Sequence, residues 1–122
     1  MNIVFFDLET QRSFDEVGGR RNIRKLGLSA AVTYSSADGD FHHYREADVA
    51  DLVEELTAAD LVVGFNVLRF DYEVLRAYTD SPLDSLPTVD MLDQIYKQLG
   101  FRVSLDNLAG ATLGTAKSAD GL

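Results

Sequence analysis

Apolar residues recur along the chain with two periods, one of two residues and one of three to four, and the changes between them divide it into elements. The run Ile3 to Leu8 is short, β-branched and aromatic, and polar residues from Glu9 to Ser13 end it, which predicts a buried strand with Asp7 and Glu9 at its end. Residues 11–27 carry Gly18, Gly19 and the basic cluster Arg20, Arg21, Arg24 and Lys25, a pattern expected of a loop with one short helical turn. LSAAVTYSS and DFHHYR then flank Ala37-Asp38-Gly39-Asp40, the signature of a hairpin closed by an Asp-Gly turn. Between Glu46 and Ala59, Val49, Leu52, Val53 and Leu56 fall on one helical stripe with acids opposite. Leu61 to Phe65 reads as a second buried strand, and Phe70 to Tyr78 as a helix that stops before Pro82 and Pro87. Thr88 to Asp90 supplies a brief strand, Met91 to Leu99 a helix ended by Gly100, and Ser104 caps a further short helix through Leu108. Three antiparallel strands followed by α/β crossovers predict a mixed sheet flanked by helices, the α/β class.

Composition narrows the function classes. With 122 residues and 46% hydrophobic content, residues 1–122 are expected to form one domain. Twenty acidic against eleven basic residues give a charge of −9, so any contact with a polyanion must be local, at a patch such as Arg20, Arg21, Arg24 and Lys25. Absence of cysteine excludes disulfides and thiolate metal sites. The N-terminal stretch has no basic segment before its apolar run, and no apolar run approaches 18 residues, so a cytoplasmic, non-membrane protein is expected. His42 and His43 are adjacent, point to opposite faces of a strand and read as hairpin surface residues. GATLGTAKS lacks the spacing and the Gly-Lys-Ser ending of a phosphate-binding loop.

The candidate chemistry lies in the acids. Asp7 and Glu9 are two residues apart on a strand, so both carboxylates face the same side and can share hard, oxygen-preferring cations. Taken alone, such a pair is in most proteins an exposed strand end. Asp71 follows a buried strand, Asn66, a three-residue turn and Phe70, at the head of a helix, where an acid ordinarily serves as N-cap or dipole partner. Phe70 and Tyr72 flank it, Phe70 at a core spacing; both are also placed to stack on a terminal base.

FFDLET resembles the first motif of the DEDD superfamily of 3′ to 5′ exonucleases, and GFNVLRFDYEVL resembles the second, in which an Asn precedes a Phe-Asp pair. PTVDMLDQIYKQLGFRVSLDNLAGATLG resembles the region that follows. The resemblance implies a ribonuclease H-like fold and a site in which Asp7, Glu9 and Asp71 ligate Mg²⁺ or Mn²⁺, two ions in the complete site, with Asp7 bridging and Glu9 helping to position water. Asn66, Phe70 and Asp90 would be supporting or substrate-binding residues, although Asp90 reads first as the cap of the following helix. The family's third motif, a Tyr or His before a final Asp, is missing after Gly114, so the fourth carboxylate and the general base are unassigned and the domain is expected to be C-terminally incomplete. What the resemblance implies is therefore a metal-dependent nuclease acting on a 3′ end of DNA or RNA, with a partner domain or subunit supplying what is missing. The rival expectation is a non-catalytic nucleic-acid-binding or interaction domain with a degenerate exonuclease site.

Overall fold

The computed structural model describes residues 1–99. Contacts divide the chain after Met91, so that the sheet and its helices belong to the first unit and the last described helix to the second. Five strands, β1 (Ile3–Thr10), β2 (Leu28–Ser35), β3 (Asp40–Arg45), β4 (Leu61–Gly64) and β5 (Thr88–Asp90), form one sheet in the order β3-β2-β1-β4-β5. The first three pair antiparallel, and β4 and β5 join parallel, which is the mixed sheet expected. Four α-helices accompany them: α1 (Phe14–Val17), α2 (Val49–Ala58), α3 (Tyr72–Leu75) and α4 (Met91–Leu99). The short helix expected from Ser104 through Leu108 and the region of the missing third motif lie outside the described residues.

Alternation along β1 sets the two faces of the sheet. Val4, Phe6 and Leu8 are buried, and they enter a core with Leu28, Ala31, Leu52, Leu56, Val62, Val74 and Leu75. The intervening Phe5, Asp7 and Glu9 are exposed on the other face. On that face an apolar row, Val89, Val63, Phe5, Tyr34 and Phe41, crosses all five strands in register. Both aromatic pairs in it are in contact, with ring centroids 6.3 Å (Phe5 and Tyr34) and 4.9 Å (Tyr34 and Phe41) apart. The hairpin turns at Ser36–Gly39, where Gly39 takes the left-handed conformation (φ 68°) that an Asp-Gly sequence favours.

Two segments are more structured than expected. Residues 11–27 hold α1, opened by a reciprocal capping box between Ser13 and Glu16, followed by a 3-10 turn at Arg20–Lys25. The helix expected over 70–78 begins earlier, as a π-helical turn at Val67–Asp71, and runs into α3. Among the described residues no helix is long and apolar enough to cross a membrane.

Candidate active site

Asp71 reaches the sheet through a sequence of local constraints. β4 ends at Gly64, where an added Cβ would meet the Val67 side chain and come within 2.9 Å of the Phe6 carbonyl oxygen, so only a hydrogen at this position lets Val67 fold down over the strand. Asn66 then adopts φ 60°, ψ 30°, the one non-glycine residue with positive φ among the described residues. Asn is among the residues that tolerate this left-handed state. The chain next winds as a π turn in which the Tyr72 N–H donates to the Val67 carbonyl, an i to i−5 bond of the kind that recurs at functional sites. Asp71 ends that turn with helical φ/ψ, and its side chain makes no capping hydrogen bond to α3. The N-cap role open to it from sequence is thus not the one it plays.

Instead the Asp71 carboxyl is buried, 3% exposed, and its Oδ2 has no hydrogen-bond partner. Burial, then the negative charge of Asp7 and more weakly that of Asp90, push its pKa up to about 8, while the backbone amides of Asp71 and Leu8 oppose the rise. Asp7 is raised as well: although the residue is exposed, its carboxyl is partly desolvated, and the same Leu8 amide opposes that shift. The charge of Asp7 thus bears on Asp71, and the Leu8 amide on both, although 64 positions separate the two acids in sequence. β1 pairs with β4 only from Ile3 to Phe5, so Asp7 lies two residues beyond that pairing.

Glu9 lies on the same face as Asp7, exposed, just before a register irregularity between Glu9 and Thr10. It does not close a ready-made trio: among the described residues no three acidic or histidine side chains converge tightly enough to hold a metal ion. Asp7, Glu9 and Asp71, the three ligands expected from the resemblance, thus do not form such a group among the described residues. A buried acid with an orphaned oxygen beside a second acid still fits a hard cation, because a divalent ion relieves both the repulsion and the missing partner.

The remaining candidates separate. Asp90, 2% exposed, accepts hydrogen bonds from the backbone N–H of Asn66 (2.8 Å) and of Leu68 (3.1 Å), so its carboxylate serves the turn before Asp71, a role beyond the helix cap read from sequence. Phe70 is half-buried against the core and meets Phe14 edge-on at 6.0 Å, in line with its core spacing. Tyr72 is fully buried with its hydroxyl 2.7 Å from Thr88 Oγ1, which removes it from base stacking. In the basic cluster, the Arg20 guanidinium sits over the Phe14 ring at 4.9 Å and Arg24 pairs with Glu73 at 3.3 Å. His43 is exposed as expected, but His42 is not a mere surface residue: its two ring nitrogens lie 3.1 Å from Glu55 and 2.8 Å from Asp38.

Sequence reasoning missed Gly64, whose only signal was a glycine at the end of a buried strand, and Phe14, which gave none.

No protein-family profile matches the chain, and no curated protein matches it. Solved structures do. The family B DNA polymerase from the hyperthermophilic archaeon Pyrobaculum calidifontis is similar over 94% of this chain and 18% of its own, at 17% identity and a TM-score of 0.61. The zinc ion-bound form of the E. coli ExoI-ssDNA complex is similar over 77% of this chain and 28% of the other, at 16% identity and a TM-score of 0.56. The chain thus spans less than a third of either protein. At such identities the likeness speaks for architecture: these residues adopt an α/β, ribonuclease H-like fold.

Proposed function

We propose that this chain is a 3′ to 5′ exonuclease-type domain, in which Asp7, Glu9 and Asp71 hold Mg²⁺ or Mn²⁺ for hydrolysis of nucleic-acid phosphodiesters. The observation that carries the reading is the buried Asp71 carboxyl, whose Oδ2 is unpartnered and whose pKa the charge of Asp7 helps to raise. A structural acid would have acquired a donor at that position. The motif-like segments FFDLET and GFNVLRFDYEVL supply these two acids, and likeness to ExoI bound to single-stranded DNA supports a nucleic-acid substrate with a free 3′ end, DNA or RNA.

When bound, divalent ions in such sites stabilise the charge that develops on the attacking and leaving oxygens. The chain's own residues do the rest. Asp7 and Asp71 act as oxygen donors, and their repulsion gives the pair a preference for a cation over a proton as pH rises. Glu9, exposed beside Asp7, is the third donor once its side chain turns inward. Phe14 and Phe70 with Arg20 offer an aromatic and basic surface next to the turn that carries Asp71.

The absence of a third close carboxylate among the described residues favours a second reading, a nucleic-acid-binding domain of the same fold without turnover. One titration separates them. Millimolar Mn²⁺ should raise the melting temperature of the wild-type protein, Asp7→Asn should abolish that shift, and a labelled single strand should be shortened from its 3′ end only by a chain that also shows the shift. Strand binding without metal stabilisation would support the second reading. No stabilisation by metal at all would sink the shared-site claim.

A further inference from the structure

Both oxygens of the Asp90 carboxylate are engaged by the backbone two dozen residues earlier, Oδ1 by the Asn66 N–H at 2.8 Å and Oδ2 by the Leu68 N–H at 3.1 Å. The residue is the last of β5, fully inside the protein, and stands beside Gly64 in the parallel register of β4 and β5. A rigid strand end therefore grips a turn at two points. That turn is not self-supporting: it opens with a left-handed Asn66, it must pass over Gly64 with no room for a Cβ, and it continues as a π turn, a geometry less favourable than an α-helix. Asp71 is five positions after Asn66, so a change in the direction of the turn moves the Asp71 carboxyl. Charge-assisted hydrogen bonds to backbone N–H groups are the strong kind, and two from one carboxylate fix a plane as well as a distance.

We propose that Asp90 is a positioning residue for the candidate site, its carboxylate clamping the Asn66–Leu68 backbone so that Asp71 is delivered to Asp7. The proposal rests on the reading of Asp7 and Asp71 as cation ligands. Asp90 acts through the backbone; its two oxygens are turned to the turn's amides. The nature of the interaction also specifies the residue type. An Asn side chain presents one oxygen and one NH₂, so one of the two amides would face another donor, while Glu would push the turn outward by one methylene.

Free Mn²⁺ measured by electron paramagnetic resonance tests this on the full chain at a temperature where every variant is folded. Asp90→Asn should weaken Mn²⁺ binding roughly ten-fold to a hundred-fold, the range seen when groups that orient metal ligands are replaced. Thr33→Val, which removes a fully buried hydroxyl bonded to Glu55 at 2.7 Å on the core face, should lower the melting temperature and leave Mn²⁺ affinity within two-fold or so of wild type. Equal affinity in Asp90→Asn and wild type would overturn the proposal. If Asp90→Asn does not fold, the wild-type amides decide: the Asn66 and Leu68 protons should be protected from exchange without metal, and scalar couplings should run from their nitrogens to the Asp90 carboxyl carbon. Amides that exchange at exposed-loop rates would refute the clamp. Wild-type protein that takes up no Mn²⁺, with those amides still protected, would instead count against the ligand reading itself.

Discussion

Two carboxylate clusters built on the same sheet have opposite fates. Glu55 of α2 is met on every side: Thr33 Oγ1 and the Tyr44 hydroxyl donate to its Oε1 at 2.7 and 2.5 Å, and His42 Nδ1 lies 3.1 Å from Oε2. His42 in turn reaches Asp38 with its other nitrogen at 2.8 Å, and since ionised carboxylates only accept, the two together favour the protonated ring, in which both nitrogens donate. Asp71 is more deeply buried, yet the charges that bear on it are those of Asp7 and Asp90, and one of its oxygens has no donor. The first cluster is closed, a network whose parts satisfy one another and tie the hairpin to α2. The second is open. The same fold satisfies Glu55 and leaves one Asp71 oxygen without a donor, the contrast on which the proposed cation site rests.

If the comparison is right, the largest effect is electrostatic. Asp71 titrates at about 8 in the folded chain against an ordinary value of 3.8. Between those values the native state binds more protons than the unfolded one, so metal-free stability should fall as pH rises from about 4 to about 8 and level off above. Four units at about 1.4 kcal/mol each bound the loss at the order of 5 kcal/mol. Denaturant melts of Asp71→Asn should lose this slope, and added Mn²⁺ should flatten it in the wild type. A steep decline that Mn²⁺ leaves untouched would break the distinction between the clusters.

Next in size is the closed cluster. Glu55→Ala strands the Thr33 and Tyr44 hydroxyls together, and a cost of about 1–3 kcal/mol per stranded group is expected in chemical denaturation, with metal affinity unchanged. Gly64→Ala should cost about 1–3 kcal/mol by overpacking against Val67 and the Phe6 carbonyl. It should also weaken Mn²⁺ binding, and adding Val67→Ala should recover part of both losses. An additive double mutant would show that Val67 does not press on Gly64.

The smallest expected effect belongs to His42. Its pKa is raised above 6.5, by the hydrogen bond to Glu55 first and that to Asp38 second, with desolvation opposing. Its contribution to stability is full below 6.5 and is lost as pH climbs through the raised value, so the hairpin should loosen on the alkaline side. An NMR titration of the His42 ring should show the raised midpoint, lowered by Asp38→Asn and indifferent to Mn²⁺. A midpoint at the free value would remove the imidazolium from the account.

How much of this could be read from the sequence depends on the range of the interaction. Alternation placed Val4, Phe6 and Leu8 inward and Asp7 and Glu9 outward; Asp38-Gly39 gave the hairpin; Leu52, Val53 and Leu56 gave the face of α2. All are consequences of local periodicity or turn chemistry. The π turn was not legible, because the helical spacing of Phe70, Val74 and Tyr78 is kept while one extra residue is accommodated upstream. Nor was the role of Asp90, whose partners are 22 and 24 residues away, or that of His42, whose partner Glu55 is on another element. Tyr72 follows Asp71 directly and looked available for a ligand, but the turn rotates it into the core against Thr88.

The short pairing of β1 with β4, ending at Phe5, carries one more consequence. From Phe5 to Asp7 the chain advances two positions, and the parity of that count decides whether a carboxylate meets Asp71 or is driven into the apolar layer with Phe6 and Leu8. A single-residue insertion or deletion between these positions would exchange the two faces, burying two acids and exposing two core side chains, whereas one before Ile3 would change nothing at the fork. The first strand is thus a segment in which length is held as strictly as chemistry, and related chains should tolerate substitution there far better than slippage.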